Sequence, residues 1–177
     1  EEAQKTDFEY VQEKGELVIG ITYFAPMNYF DENNELVGFE TEFATAVCAK
    51  LGVEPVFQEI EWSQKEFELQ SKSIDCIWNG LTVTEERKAD MAFSTSYVEN
   101  NHFFFILSSN ADTYTSLEDL TGISICAENG SAGQSAIEAD ATLSTNEFIG
   151  VSAQKDALLE VKSGTCQAAV LDWVLAR

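Results

Sequence analysis

The sequence predicts an α/β protein built as two lobes. Short apolar, strand-like runs alternate with helix-like stretches from about residue 17 onward, the pattern of parallel sheets covered by helices. The alternation is interrupted by a polar crossing at 97–101 and then begins again. A small echo links the halves: Lys72-Ser73 precedes Cys76 by the spacing at which Lys162-Ser163 precedes Cys166, each between a helix and a strand.

Taken in order, Leu17-Val18-Ile19-Gly20-Ile21 reads as a buried strand and Asp31-Glu32-Asn33-Asn34 as a turn. Phe39, Phe43, Val47 and Leu51 recur every four residues and predict the apolar face of a helix closed by Gly52. A strand at 56–60, a helix over 64–71 and a strand at 74–78 follow, the last running into Asn79-Gly80. Thr84 is placed to cap a helix carrying Glu85 and Glu86 in its first turn. Beyond the crossing, Phe103-Phe104-Phe105-Ile106-Leu107 predicts a buried strand, and Ser116 can cap a short helix ending near Gly122. Strands follow at 123–126, 147–151 and 168–171, with helices opened by Gly130-Ser131-Ala132-Gly133 and marked by Ala157, Leu158 and Val161. The domain reading is a polar tether over 1–14, lobe one over 15–98, a hinge at 97–101 and lobe two over 102–177.

Composition narrows the function. The chain has 177 residues, 45% of them hydrophobic, and a net charge of −21 from 31 acids and 10 bases. That balance excludes nucleic acid, whose phosphates need a basic surface, and docking on an anionic membrane through basic patches. No apolar run approaches the roughly 20 residues of a membrane helix. No signal peptide is seen, so any targeting segment is expected to have been removed. Cys48, Cys76, Cys126 and Cys166 form no CxxC pair and sit in apolar settings. They read as buried free thiols, with one or two disulfides as the alternative. His102 is the sole histidine, which leaves neither a histidine-based metal site nor a Ser-His-Asp or Cys-His arrangement. No cofactor or metal is expected.

Four features can carry recognition chemistry. Arg87 falls in the first turn of a helix, where the dipole favours acids, so helix stability does not explain it. Its fork matches a carboxylate, and a surface pair with Glu85 or Glu86 is the alternative. Asn79-Gly80-Leu81-Thr82 follows a strand directly and offers close backbone approach and a hydroxyl, or else is an ordinary turn. Asn129 to Gly133 opens a helix whose free N–H groups suit a carboxylate, although it lacks the lysine of a P-loop. Asp172 closes a strand and can accept an ammonium group, cap the helix starting at Trp173, or both. Phe24 and Trp62 add apolar or cation–π walls. Together these are the parts an α-amino acid needs.

The ordered motifs resemble the family 3 solute-binding proteins, the polar amino-acid receptors of ABC importers. They are Glu16-Leu17-Val18-Ile19-Gly20, Val37-Gly38-Phe39-Glu40 and the run Ile74-Asp75-Cys76-Ile77-Trp78-Asn79-Gly80-Leu81-Thr82-Val83-Thr84. Ala92-Phe93-Ser94 with Tyr97, and Ser116-Leu117-Glu118-Asp119-Leu120-Thr121-Gly122, continue the match. The resemblance implies a type II periplasmic-binding-protein-like fold whose lobes close on the ligand. It assigns Thr82 and Arg87 to the ligand carboxylate, with Ser131 as the hydroxyl at the lobe-two helix start. It assigns the Gly80 backbone and Asp172 to the ammonium, and Phe24 and Trp62 to the walls. Ile21 stands where many relatives have an aspartate. Glu128 stands where some have a ligand-touching lysine, which would turn preference away from acidic ligands.

The resemblance also implies a longer chain, so lobe two is expected to be incomplete, its sheet edge covered by a complementing C-terminal segment or by domain swapping. The expected partners are a free amino acid and the membrane subunits of an ABC transporter. The expected location is extracytoplasmic, as a cell-surface lipoprotein or free in a periplasm. The expectation is binding without catalysis. A sensor domain of a signalling protein, and a dehydratase-like enzyme with Glu128 as its acid, are the alternatives.

Overall fold

The structure, a computed structural model, describes residues 5–176. The chain divides into two compact units, Glu1–Leu81 and Thr82–Arg177; the sequence reading drew its boundary at 97–101.

The first unit opens with helix α1 (Asp7–Lys14), where the sequence suggested a tether over 1–14. The correction has a local cause. Thr6 and Glu9 form a capping box, each side chain meeting the other's backbone N–H, and Gly15 closes the helix in the left-handed conformation. Val11 enters the core, and Lys14 Nζ bonds Asp75 Oδ2 at 2.6 Å. That oxygen also accepts the Val18 N–H, so α1 is tied to the first strand. Residues 1–4 of the expected tether lie outside the described residues.

A three-stranded parallel sheet in the order β4-β1-β5 is built from β1 (Glu16–Ile21), β4 (Glu54–Glu59) and β5 (Cys76–Ile77). Of the strand expected at 74–78, only Cys76 and Ile77 pair; Ile74 drops into the interior. It fills the space above Gly20, where a Cβ would stand 2.6 Å from Ile74 Cδ1, which explains a glycine in the central strand. A small antiparallel pair, β2 (Tyr29–Phe30) and β3 (Leu36–Val37), leads into α2 (Phe39–Leu51), and α3 (Lys65–Gln70) precedes β5.

Helix α2 forms where its four-residue period predicts, but a different face is buried. Glu40, Thr41, Ala44 and Cys48 point inward, while Phe39 is exposed and Phe43 half-buried. Small Ala44 and Cys48 let the helix approach Ile19 and Ile21 closely, and Glu40 and Thr41 are drawn inward by hydrogen bonds. The displaced aromatics stack along the flank, with Phe43 edge-on to Trp78 at 5.2 Å.

The second unit contains α4 (Glu85–Asp90) and a four-stranded sheet in the order β6-β9-β7-β8. Its strands are β6 (His102–Ile106), β7 (Ser124–Glu128), β8 (Glu147–Val151) and β9 (Ala168–Asp172). β6 is antiparallel to β9 and the other pairings are parallel. Helices α5 (Ala132–Ala139) and α6 (Gln154–Ser163) pack against the sheet in two clusters centred on Ile125, Ile137 and Val170 and on Cys126, Ala157 and Leu171. The run at 103–107 is a strand, as predicted, but it is not buried. Phe103 is 50% exposed and Phe104 37%, because β6 is an edge strand paired on one side only. All four cysteines are free thiols; Cys48, Cys126 and Cys166 are buried and Cys76 is half-buried.

Gly38, the residue before α2, has φ +127°, and a Cβ there would stand 2.2 Å from the Met27 carbonyl oxygen. Both backbone conformation and space demand glycine. Gly38→Ala is expected to lower stability by about 3 kcal/mol or more, from left-handed strain plus a backbone clash, read as a fall in the urea midpoint without change of fold.

Candidate functional site

In the first unit the loops after β1 and β5 are joined by a buried polar knot. Asn79 Oδ1 accepts the Thr22 N–H and the Asn28 side-chain amide, both at 2.9 Å, and Asn79 Nδ2 donates to Thr22 Oγ1 at 2.6 Å. Asn28 Oδ1 accepts from Thr41 Oγ1 at 2.8 Å, and Asn28 Nδ2 also reaches Glu40 Oε2 at 3.3 Å. The other Glu40 oxygen accepts the Gly80 N–H at 2.8 Å. All five of these side chains are buried. The start of α2 has no side-chain cap; instead the Phe39 and Glu40 N–H groups donate to the carbonyls of Pro26 and Met27. The loop holding Phe24 is thus bound both to the helix start and to Asn79.

Phe24 is buried, and its ring lies where a Cβ on Gly80 would meet Cζ at 3.4 Å. The structure therefore brings Phe24, Asn79 and Gly80 together. Because Glu40 holds the Gly80 N–H, the backbone group of Gly80 left to meet a cation is its carbonyl. Trp62, also buried, opens a 3-10 turn (Trp62–Gln64), and Lys65 Nζ stands 5.0 Å from its ring centroid, donating to the Trp62 carbonyl.

In the second unit Thr84 caps α4 by accepting the Arg87 N–H, and Arg87 is buried. Glu85 pairs with Lys88 at 2.7 Å. Arg87 Nη1 donates to the Thr82 carbonyl at 2.9 Å and Nη2 to the Gly130 carbonyl at 3.1 Å. Arg87, Thr82 and the loop opening α5 are thereby gathered at one place. Ser131 caps α5 by accepting the Gln134 N–H, and Gly133 lies so close to the Val170 carbonyl that an added Cβ would be 3.1 Å away. Glu128, the last residue of β7, is buried.

Asp172 ends β9, and both its carboxylate oxygens are held. His102 Nε2 lies 3.2 Å from Oδ1, Asn100 donates to the same oxygen and Gln154 to Oδ2. Gln154 Oε1 in turn accepts the Asp172 N–H at 3.0 Å. Burial pushes the carboxyl up, but the hydrogen bonds from His102, Gln154 and Asn100, with the charge of His102, outweigh it and hold the group below the ordinary aspartate range. Three of the roughly four acceptor positions of a carboxylate are occupied, which leaves one on Oδ2. Among the described residues no group of His, Cys, Asp and Glu can hold a metal ion.

Sequence reasoning missed Thr22, Asn28, Glu40 and Thr41 in one unit, and Asn100, His102 and Gln154 in the other. Glu40 was visible only as the last residue of the Val37-Gly38-Phe39-Glu40 motif, with no role attached to it. His102 faces Asp172 because β6 and β9 are antiparallel in the register His102↔Asp172, a pairing that no local pattern encodes.

Residues 17–173 match the family described as bacterial extracellular solute-binding proteins, family 3, and the chain belongs to that family. It is 33% identical over 113 residues to the L-cystine-binding protein TcyJ of Escherichia coli K12, an alignment covering 63% of this chain and 42% of that protein. The chain spans about half the length of the curated relatives it matches, between 42% and 63%. The crystal structure of Tv2483 bound to L-arginine is 32% identical, with a TM-score of 0.91, covering 98% of this chain and 71% of that one. The ancestral amino-acid-binding protein AncCDT-1, a precursor of cyclohexadienyl dehydratase, is 26% identical with a TM-score of 0.88, covering 94% and 74%. The fold is that of the type II periplasmic binding proteins.

Two outcomes follow from these contacts. Asn79→Ala strips partners from the buried Thr22 N–H and the Asn28 amide, so it is expected to cost about 2–6 kcal/mol, at one to three per orphaned group, measured by urea unfolding. Asp172 has a native pKa below its unfolded value near 3.9, so its contribution to stability is complete above that value and is lost as pH falls through the native pKa. Unfolding of Asp172→Asn, followed against pH, should show a shallower acid limb than the parent.

Proposed function

We propose that this chain is the ligand-capturing part of an extracytoplasmic solute-binding protein that delivers a polar amino acid to an ABC importer. The observation that carries the reading is Arg87: a buried guanidinium gathered with Thr82 and the α5 start. In this reading Thr82, Arg87 and the Ser131 hydroxyl take the ligand carboxylate. The Gly80 carbonyl and the open position on Asp172 Oδ2 take its ammonium, with Asn79 holding the Gly80 loop in place. Phe24 and Trp62 supply walls, and Glu128 biases the side-chain end against acidic ligands. Two lobes closing about a hinge at 97–101 would complete the site. Relatives named for cystine and arginine support a polar, non-acidic ligand. Anchoring as a lipoprotein belongs to the same reading.

An enzyme on this fold is the second reading, favoured by the neighbour that is a dehydratase precursor. That neighbour is itself described as an amino-acid-binding protein, which supports binding first. Turnover of a bound ligand, followed by chromatography, separates the two.

The test is a thermal-shift panel of free amino acids. A ligand that binds only the folded state raises Tm by mass action, about 2.7 kcal/mol at a hundredfold excess over Kd. A shift with arginine, cystine or histidine, absent with glutamate and lost in Arg87→Ala, is the expected result. A best response to glutamate or aspartate would overturn the Glu128 assignment, and a full shift in Arg87→Ala would overturn the site.

A further inference from the structure

The sequence holds two Asn-Gly pairs, Asn79-Gly80 in the first unit and Asn129-Gly130 in the second. The structure treats them in opposite ways. Asn79 is buried, its amide is fixed by Thr22 and Asn28, and the Gly80 N–H is held by a carboxylate. Asn129 is exposed, and its side chain makes no hydrogen bond among the described residues. It lies against Gly150, where a Cβ would fall 1.9 Å from Asn129 Oδ1, so the carboxamide rests on bare backbone. Gly130 stands at φ +72°, and its N–H donates to the Gln134 side chain at 2.7 Å.

We infer that Asn129 is a site of spontaneous deamidation and that this modification weakens the carboxylate end of the binding site. The Gly130 nitrogen attacks Asn129 Cγ. The N–Cγ bond forms, the Cγ–Nδ2 bond breaks, and the Gly130 proton leaves with Nδ2 as ammonia. Water then opens the cyclic imide. Attack at Cγ gives aspartate, and attack at the main-chain carbonyl gives isoaspartate, with the chain rerouted through Cγ. No oxidant or enzyme is required. Glycine at the next position removes the side chain that would hinder the attack. Asn79 cannot follow, because its amide would have to abandon the buried knot.

Either product adds a negative charge one residue before Gly130, whose carbonyl holds Arg87 Nη2. Isoaspartate also lengthens the backbone between β7 and the Ser131 cap. The consequence for ligand rests on the function proposed above; the chemistry does not.

The test is incubation of the native chain at mildly alkaline pH and 37 °C. Tryptic peptides then separate the two sites, since residues 73–87 carry Asn79 and residues 89–155 carry Asn129. The expected result is conversion at Asn129, with both aspartate and isoaspartate fragments, while Asn79 stays intact; in urea both convert. Gln134→Ala, which removes that acceptor from the Gly130 N–H, should accelerate conversion at Asn129 severalfold. An intact Asn129 in the native chain under conditions that convert it in urea, or equal native rates at the two sites, overturns the inference. The aged protein is then compared with fresh protein for the ligand-induced Tm shift. A smaller shift supports the functional consequence, and an unchanged shift removes it while leaving the modification standing. Absence of any shift in fresh protein is a failure of the binding reading alone.

Discussion

The buried amide of Asn79 is the constraint on which the first unit depends. One side chain closes the loops after β1 and β5 onto each other and onto Asn28. Through Asn28 and Glu40 the same knot reaches the start of α2 and the Gly80 backbone. A polar group this far from water is tolerated only when nearly all of its hydrogen-bonding capacity is met. The reward for meeting it is geometry. Loops that would otherwise sample many conformations are held in one, and Phe24 is set against Gly80.

The second unit solves the same problem with charge. Asp172 sits at the end of a fully buried strand and is held by Asn100, His102 and Gln154, while Arg87 is anchored by two backbone carbonyls. In each case a charged group that would reorganise in water is fixed beforehand by its neighbours, leaving few acceptor or donor positions for anything else. Preorganisation of this kind spares a ligand the entropy of ordering the site.

Much of this was legible in the sequence, for identifiable reasons. Strand and helix positions follow from local apolar runs, caps and glycines, so β9, α2 and the helix opened by Gly130 to Gly133 were found where they stand. Arg87 was singled out by its expected place in a first helical turn, although α4 is so short that Arg87 falls in its last turn, where a base suits the dipole. What escaped notice depends on contacts distant along the chain. The inward face of α2 is set by Asn28 and Gly80, 12 and 40 residues from Glu40, so a periodicity that counts only apolar residues picked the flank instead. The exposure of Phe103 follows from sheet order, and the pairing of His102 with Asp172 from register; neither is a local property. The α1 capping box was local and readable, but its polar composition concealed it.

The thiols are distributed two to a unit: Cys48 and Cys76 in one core, Cys126 and Cys166 in the other. Burial raises the pKa of each, that of Cys76 to about 12, so little thiolate is present near neutrality. Cys126 Sγ is further engaged by the carbonyls of Ala157 and Ala168. Chemically silent while packed, these sulfurs become nucleophiles only when their own core opens. The molecule therefore carries two separate clocks for its internal breathing. Alkylation sorted by peptide tells how often each unit comes apart, and a lobe steadied by its surroundings slows its own clock without touching the other.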